Sequence, residues 1–180
     1  MPAQALAQKI VNALKALPAS DKYDASTPAQ MNGIIAQEIT TYLQANCTVV
    51  VAYAGMVGTS PEAAAGPNPI AGAVAPSSQG DPKTWLDTLG HNIAVGFMTQ
   101  PGVVKPLGPH VSLQVPNDQL STFVPVGASK DTHDASDPCL DWWTKVATGI
   151  FTMINTQVSP PYPASLAGTG VATVTKLNLI

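Results

Sequence analysis

Four segments of this 180-residue chain carry apolar residues at the spacing of one helix face, and three of them begin with the same pair of residue types. Thr27, Asp81 and Asp137 each stand immediately before a proline. A capping Thr or Asp followed by proline is typical of helix starts, because the N–H that proline lacks would have no partner there. The pattern predicts helices beginning at these positions, and another over residues 3–17.

The apolar residues of each segment recur three or four positions apart, which places them on one side of a helix. They are Leu6, Ile10, Leu14 and Leu17; Met31, Ile34, Ile35, Ile39, Tyr42 and Leu43; Trp85, Leu89, Ile93 and Phe97; and Leu140, Trp143, Val146, Ala147, Ile150 and Ile154. We expect these four faces to form most of the core.

Other segments are typical of β-strands. Residues 47–57 contain the β-branched run Thr48–Val51 and are too apolar for simple alternation, which favours a strand covered on both faces. Residues 70–75 form a candidate partner strand, and residues 171–179 a closing strand. The expected fold class is therefore α+β: a small antiparallel sheet packed with about four helices and an irregular Pro- and Gly-rich segment, in one domain spanning residues 1–180.

Charged residues make up only 11% of the chain, against about 25% in ordinary soluble domains. Uncharged amides, hydroxyls and small residues take their place, and burying such groups costs less than burying ions. The cores of protein interfaces are likewise poor in charge. We interpret the composition as that of a surface covered by other polypeptides, or displayed outside a cell; a bias of organism or secretion is the alternative.

The same composition argues against several partners. The chain has no arginine and a net charge of −3, so it lacks the basic surface that binds nucleic acids or anionic membranes. Neither a secretory signal nor an apolar run of about 20 residues is apparent, so a soluble protein is expected. Cys47 and Cys139 could pair in an oxidising medium, but two buried free thiols are favoured.

Asp131, His133 and Asp134 are the strongest candidates for a chemical site, because carboxylate oxygens and an imidazole can hold a cation. Their spacing does not match a calcium-binding EF-hand loop, and a solvated loop leading into a helix cap is the favoured interpretation. The chain has neither a Gly-x-Ser-x-Gly elbow nor a phosphate-binding loop. We therefore expect no catalytic residue, no cofactor and no metal, and a protein that is not an enzyme.

Two segments and one aromatic residue are candidates for contacts with other chains. Residues 100–130 are irregular, and the closing strand 171–179 can either pair beside residues 48–57 or present an edge to a neighbouring chain. Trp142 points about 100° away from Trp143 around the helix, which places it at a subunit contact, in a wide core face that takes both rings, or flat on the surface. The candidate interface residues are Trp142, Val111, Leu113, Val171, Leu177 and Leu179.

The order of the segments is also informative. A helical start, Ala5–Leu17, precedes a second helix that runs into Thr48–Val51. The Gly-, Pro- and Ala-rich segment Gly55–Pro69 and the closing Gly168–Thr175 complete the layout. This layout resembles the small accessory structural proteins of tailed-bacteriophage virions. The resemblance implies a component of the capsid surface, neck or tail, present in many copies and bound to itself and to other virion proteins.

Two other functions are considered beside the virion protein. One is an exported surface or glycan-binding module that uses Trp142 and tyrosines, and its test is glycan binding. The other, ranked last, is a metal-dependent hydrolase centred on Asp131, His133 and Asp134, which predicts a stoichiometric bound metal.

Overall fold

The computed structural model of the protein describes residues 2–17, 27–54, 62–65, 82–98, 115–124, 140–157 and 171–179. The helices are α1 (Pro2–Lys15), α2 (Thr27–Asn46), α3 (Pro82–Met98) and α4 (Leu140–Gln157). The strands are β1 (Cys47–Ala54), β2 (Glu62–Ala65) and β3 (Val171–Leu179). A short 3-10 helix, Leu120–Thr122, lies within segment 115–124.

The helices lie where the apolar periodicity places them. α2 begins at Thr27 and α3 at Pro82, so two of the three cap-and-proline pairs mark helix starts as expected. α4 begins at Leu140, and the third pair, Asp137 with Pro138, lies outside the described residues. At the other end of α2, the side-chain amide of Asn46 donates a hydrogen bond to the carbonyl of Tyr42 at 2.8 Å. This bond satisfies one of the carbonyls that the last turn of a helix leaves without a backbone partner.

The described core is built by the four helices together with segment 115–124. All residues of the predicted apolar faces are buried or pack against the core from its margin. The largest fully buried side chains are Trp143, Phe97, Leu6, Ile10, Leu14, Ile39, Leu43, Leu86, Leu89, Ile93 and Leu120. Removal of these side chains from water is the main source of favourable folding energy.

The predicted α+β class is wrong. About 88% of the residues whose side chains are described are helical, and none of them belongs to a strand. Among the side chains that the structure describes, the core cluster takes its members from the helices and from segment 115–124, so in this part of the chain helix packs on helix. The prediction failed because a β-branched run predicts a strand but does not by itself establish the packed sheet layer that defines an α+β fold.

Three side-chain contacts show how the helices are arranged. The Tyr42 hydroxyl, near the end of α2, donates to the carbonyl of Pro2 at 3.1 Å, so the start of α1 lies beside the end of α2. The Tyr42 and Phe151 rings stack at 6.0 Å, which joins the later halves of α2 and α4. Trp85 and Trp143 meet edge to face at 6.0 Å, so α3 and α4 begin at the same end of the body.

The three strands pair through their backbones in the order β2-β1-β3, and both pairings are antiparallel. β1 follows α2 without an intervening residue. β1 pairs with β3 on one side and with β2 on the other. The predicted partner strand at residues 70–75 lies outside the described residues. Val50 pairs with Lys176 and Val51 with Val174, so β3 carries a bulge at Thr175.

Candidate functional site

Segment 115–124 lies between α3 and α4 and contacts both helices with its backbone and side chains. Its own backbone forms a compact turn. The Asn117 side chain accepts a hydrogen bond from the Gln119 N–H at 3.1 Å, and the Leu120 carbonyl accepts from Phe123 at 2.9 Å. Such local bonds shape a short segment before any tertiary contact is made.

On one side, segment 115–124 approaches the backbone of α3 at Gly90. A Cβ atom at Gly90 would overlap the carbonyl oxygen of Asp118 and would lie 2.8 Å from the Cβ of Leu120. No side chain fits at that position without moving the segment. The 3-10 turn is the closest backbone neighbour of α3 among the described elements, so this contact is a principal attachment of α3.

On the other side, the segment meets α4 at a second glycine. A Cβ atom at Gly149 would lie 2.5 Å from a methyl group of Val124 and 3.1 Å from the Phe123 carbonyl oxygen. Leu120 is 0% exposed and Val124 is 2% exposed, so both side chains belong to the core. Segment 115–124 therefore fills a groove between two helices, each of which has a glycine where the segment touches it.

Asp87 of α3, a half-buried residue, binds the segment at one edge of the groove. One carboxylate oxygen accepts the backbone N–H of Ser121 at 3.0 Å, and the other pairs with the Lys83 ammonium at 2.7 Å. Burial raises the pKa of the Asp87 carboxyl, but the hydrogen bonds from Lys83 and Ser121 and the charge of Lys83 lower it by more. The net result is a pKa below the ordinary value, because these partners favour the charged form.

One turn further along α3, Nδ1 of His91 lies 2.7 Å from Oδ2 of Asp118 in the segment. The two side chains are 61% and 34% exposed, so the pair contributes about 0–1 kcal/mol. An aspartate that orients a histidine is also part of hydrolytic triads. Ser121, the serine of segment 115–124, bonds to Asp87 instead of His91, so these residues attach the segment to α3 and form no triad.

The interface prediction for Trp142 requires correction. Trp142 is 3% exposed and Trp143 is 1% exposed, so the core face of α4 is wide enough to take both rings. Neither indole N–H has a hydrogen-bond partner among the described residues. By contrast, the Trp85 indole N–H donates to the Asn32 side-chain oxygen at 3.0 Å. Trp142 is therefore a core residue, which was one of the alternatives that the sequence left open.

The exposed surface of the described part carries few ions. Apart from His91, the ionisable side chains in the exposed class there are Lys9, Lys15, Lys83 and Asp141, and four more are half-buried: Glu38, Asp87, Asp118 and Lys145. The exposed amides and hydroxyls are Gln4, Gln8, Asn12, Gln30, Gln37, Gln44, Gln119, Asn155, Thr41, Thr84, Thr122, Thr148, Thr152 and Thr156. The low charge of the composition is thus found on the outer faces of the helices.

Four threonines follow one another along the outer side of α4. Each hydroxyl of Thr144, Thr148, Thr152 and Thr156 donates to the carbonyl four residues earlier, at 2.7–2.9 Å. The hydroxyl protons are therefore used within the helix, and the stripe offers methyl groups and oxygen acceptors to the outside. At about 1.5 Å per residue, it extends roughly 18 Å.

The other predicted site residues are distributed as follows. Val171, Leu177 and Leu179 lie in β3, opposite Ala54, Val49 and Cys47 of β1 in backbone register. The predicted residues outside the described ranges are Val111, Leu113, Asp131, His133, Asp134 and Cys139. Among the described residues, no group of three or more His, Cys, Asp or Glu side chains could hold a metal ion.

The groove and its polar contacts were missed by the sequence reasoning, although one signal for them was present. Gly90 and Gly149 interrupt strongly apolar helical patterns, and an interior helix glycine often marks a close backbone approach. Nothing in the sequence, however, identifies segment 115–124 as the partner. Of the helices that the structure describes, none is both long and apolar enough to cross a bilayer.

Comparison with known proteins gives no match. No protein-family model fits the chain, and no curated protein or solved structure is significantly similar to it.

Proposed function

We propose that the protein is a non-catalytic structural protein that works by assembling with copies of itself and with other polypeptides, as a component of a tailed-bacteriophage virion. The observation that carries the proposal is the low charge of the exposed helix faces, on which amides and hydroxyls outnumber the exposed ions Lys9, Lys15, Lys83 and Asp141. The virion setting, on the capsid surface or in the neck or tail, follows from the resemblance in segment layout.

The energetic reason lies in desolvation. Covering a lysine or glutamate with protein removes its hydration, which is expensive unless an opposite charge is supplied. Amides, hydroxyls and methyl groups cost far less to cover, and they can form hydrogen bonds across an interface. A helix face made of glutamines or threonines, as on α2 and α4, is therefore inexpensive to bury against a neighbouring polypeptide.

The polar cluster on α3 supports a structural role more than a chemical one. His91 and Asp118 hold segment 115–124 against α3, and Asp87 holds the backbone of the same segment. A glycan-binding module loses its leading residue, because Trp142 is inside the core. Both findings weigh against the glycan-binding alternative and against a reactive role for the cluster on α3; Asp131, His133 and Asp134 of the hydrolase alternative lie outside the described residues.

Mass measurement over a wide concentration range tests the proposal. We expect sedimentation velocity to show a discrete oligomer, and we expect the protein to co-sediment with purified virions that lack it. A protein that stays monomeric at the highest concentration reached, and does not bind particles, would contradict assembly as its function.

Charge-adding variants test whether the uncharged helix faces take part. Gln37→Lys on α2 and Thr148→Lys on α4 place an ion on an exposed face without touching the core. We expect at least one of them to weaken association, because the ammonium must be desolvated on assembly. Gln37→Asn and Thr148→Ser are the matched uncharged controls, and all four variants should keep the wild-type melting temperature. Equal association by all four would show that these faces do not carry assembly.

A further inference from the structure

The first half of α2 contains the pair Asn32–Gly33, and Asn32 is the only asparagine of the chain that precedes a glycine. Packing does not require a glycine at this position. A Cβ atom at Gly33 would meet nothing within 4 Å, whereas a Cβ atom at Gly90 or Gly149 would run into segment 115–124. Glycine is also a poor helix former. Neither helix stability nor packing therefore explains the pair.

An asparagine followed by glycine can lose its side-chain amide without an enzyme. The backbone nitrogen of the glycine gives up its proton and bonds to Cγ of the asparagine, and the Cγ–Nδ2 bond breaks to release ammonia. The product is a five-membered succinimide ring, which water then opens to aspartate or isoaspartate. Glycine favours ring closure because it has no Cβ to obstruct the approach and because its backbone angles change easily. Water is the only co-reactant.

Two features of the folded protein oppose this reaction at Asn32. The pair lies inside α2, where the N–H of Gly33 belongs to the helical hydrogen-bond ladder. The Asn32 side-chain oxygen accepts the Trp85 indole N–H at 3.0 Å, and Asn32 is only 8% exposed. Ring closure therefore requires Asn32 to leave Trp85 and Gly33 to leave the helical geometry.

We propose that Asn32–Gly33 is a gated deamidation site, closed while Trp85 holds Asn32 and open when the start of α2 separates from α3. Aspartate at position 32 would place a carboxylate in a buried position, where a charge is costly unless it is paired. Isoaspartate would add a methylene group to the backbone of α2 and interrupt its hydrogen bonds. Either product closes less readily than asparagine, so the reaction records past opening irreversibly. This inference is independent of the proposed function.

Wild-type protein tests the gate without any substitution. It is incubated in mildly alkaline buffer, with or without a denaturing concentration of urea, and the peptide that contains Asn32 is analysed by mass spectrometry. Chromatography separates its aspartate and isoaspartate forms, and an unincubated sample corrects for deamidation during digestion. We expect deamidation to be at least about tenfold faster in urea, because the open form is a minor population of the folded protein. Equal rates would overturn the proposal.

Gly33→Ala is the matched chemical control, because the added Cβ atom fits at this position and hinders ring closure. We expect this variant to keep the Asn32 amide in both conditions, over the period in which unfolded wild type loses it. Loss at the wild-type rate in urea would show that the reaction does not pass through a ring formed by this pair, which would overturn the assigned site.

Trp85→Phe tests whether the indole hydrogen bond guards the amide. The control is Gly90→Ala, which disturbs α3 against segment 115–124 and removes no atom of the Trp85–Asn32 bond. Both variants are compared at urea concentrations at which circular dichroism gives the same folded fraction. We expect Trp85→Phe to deamidate at Asn32 severalfold faster. Equal rates would overturn the gating by Trp85; if Trp85→Phe does not fold, the comparison of folded with unfolded wild type still decides the proposal.

The effect of the product on the fold is measured with Asn32→Asp. Its control is Asn12→Asp, which places the same carboxylate on the exposed side of α1. We expect Asn32→Asp to melt several degrees below wild type at neutral pH and Asn12→Asp to melt close to wild type. Equal melting temperatures of the two variants would contradict the claim that deamidated molecules close less readily.

Discussion

At the scale of single residues, two glycines determine how closely segment 115–124 can approach the helices. Glycine costs about 1 kcal/mol relative to alanine within a helix, so its presence at Gly90 and Gly149 needs a compensating gain. That gain is the burial of Leu120 and Val124, which are essentially inaccessible to water. Gly90 and Gly149 are therefore positions at which the described structure leaves no room for a larger side chain.

Gly90→Ala should lower the free energy of unfolding by about 1–3 kcal/mol, because the added methyl group displaces the Asp118 carbonyl and the Leu120 side chain. The control is Gly33→Ala in α2, where a Cβ atom would meet nothing within 4 Å. Helix propensity alone should make that variant about 0.5–1 kcal/mol more stable. Urea unfolding of both variants measures the difference. A Gly90→Ala protein as stable as Gly33→Ala would contradict the close approach.

Asp87 should make stability depend on pH in the acid range. Its pKa is lowered in the folded protein, so the folded state binds fewer protons than the unfolded state there. The resulting stabilisation is complete above the ordinary aspartate pKa of about 3.9 and is lost as the pH falls through the lowered value. Asp87→Asn removes this titration. We expect the stability gap between wild type and variant to shrink from about pH 5 towards pH 2 in urea unfolding. A gap that grows in acid would contradict this assignment.

At the scale of elements, the beginnings of α2, α3 and α4 are joined through a buried indole–amide contact. Trp85 of α3 donates to Asn32 of α2, and its ring meets that of Trp143 of α4. Asn32 is one of the few polar side chains buried in the described part, and this hydrogen bond offsets its desolvation. A single buried amide thereby helps to select which helix starts lie together.

Trp85→Phe should destabilise the protein more than Trp143→Phe, by about 1–3 kcal/mol, because only the first leaves a buried acceptor without its donor. The Trp143 N–H has no partner among the described residues, so its loss removes no hydrogen bond. Introducing Asn32→Leu should largely abolish the difference between the two variants. Equal effects of the two tryptophan substitutions in both backgrounds, measured by urea unfolding, would show that the indole–amide bond contributes nothing.

At the scale of the whole molecule, the scarcity of surface charge determines which forces can drive assembly. Interfaces that depend on ion pairs weaken when salt shortens the range of electrostatic attraction. An interface of amides, hydroxyls and apolar groups lacks that dependence, and sulfate strengthens burial of this kind because it is excluded from protein surfaces. The exposed face of α2 and the threonine stripe of α4 belong to the second kind.

We therefore expect association to change little when sodium chloride is raised from low to high concentration, and to become stronger when sodium sulfate is added instead. Sedimentation velocity in the two salt series measures the association constant directly. Dissociation by moderate sodium chloride would show that charged residues dominate the interface, which would contradict the explanation offered for the composition.

The sequence by itself determined the positions of the four helices and the residues they bury, because caps, proline placement and apolar spacing act within a few turns of the same helix. It did not determine the fold class, the burial of Trp142 or the partner of Gly90. Those features depend on contacts between residues far apart in the chain, such as Asp87 with Ser121 or Trp85 with Asn32. Local periodicity carries no information about which distant segment fills a groove, so only the tertiary structure could place segment 115–124 between α3 and α4.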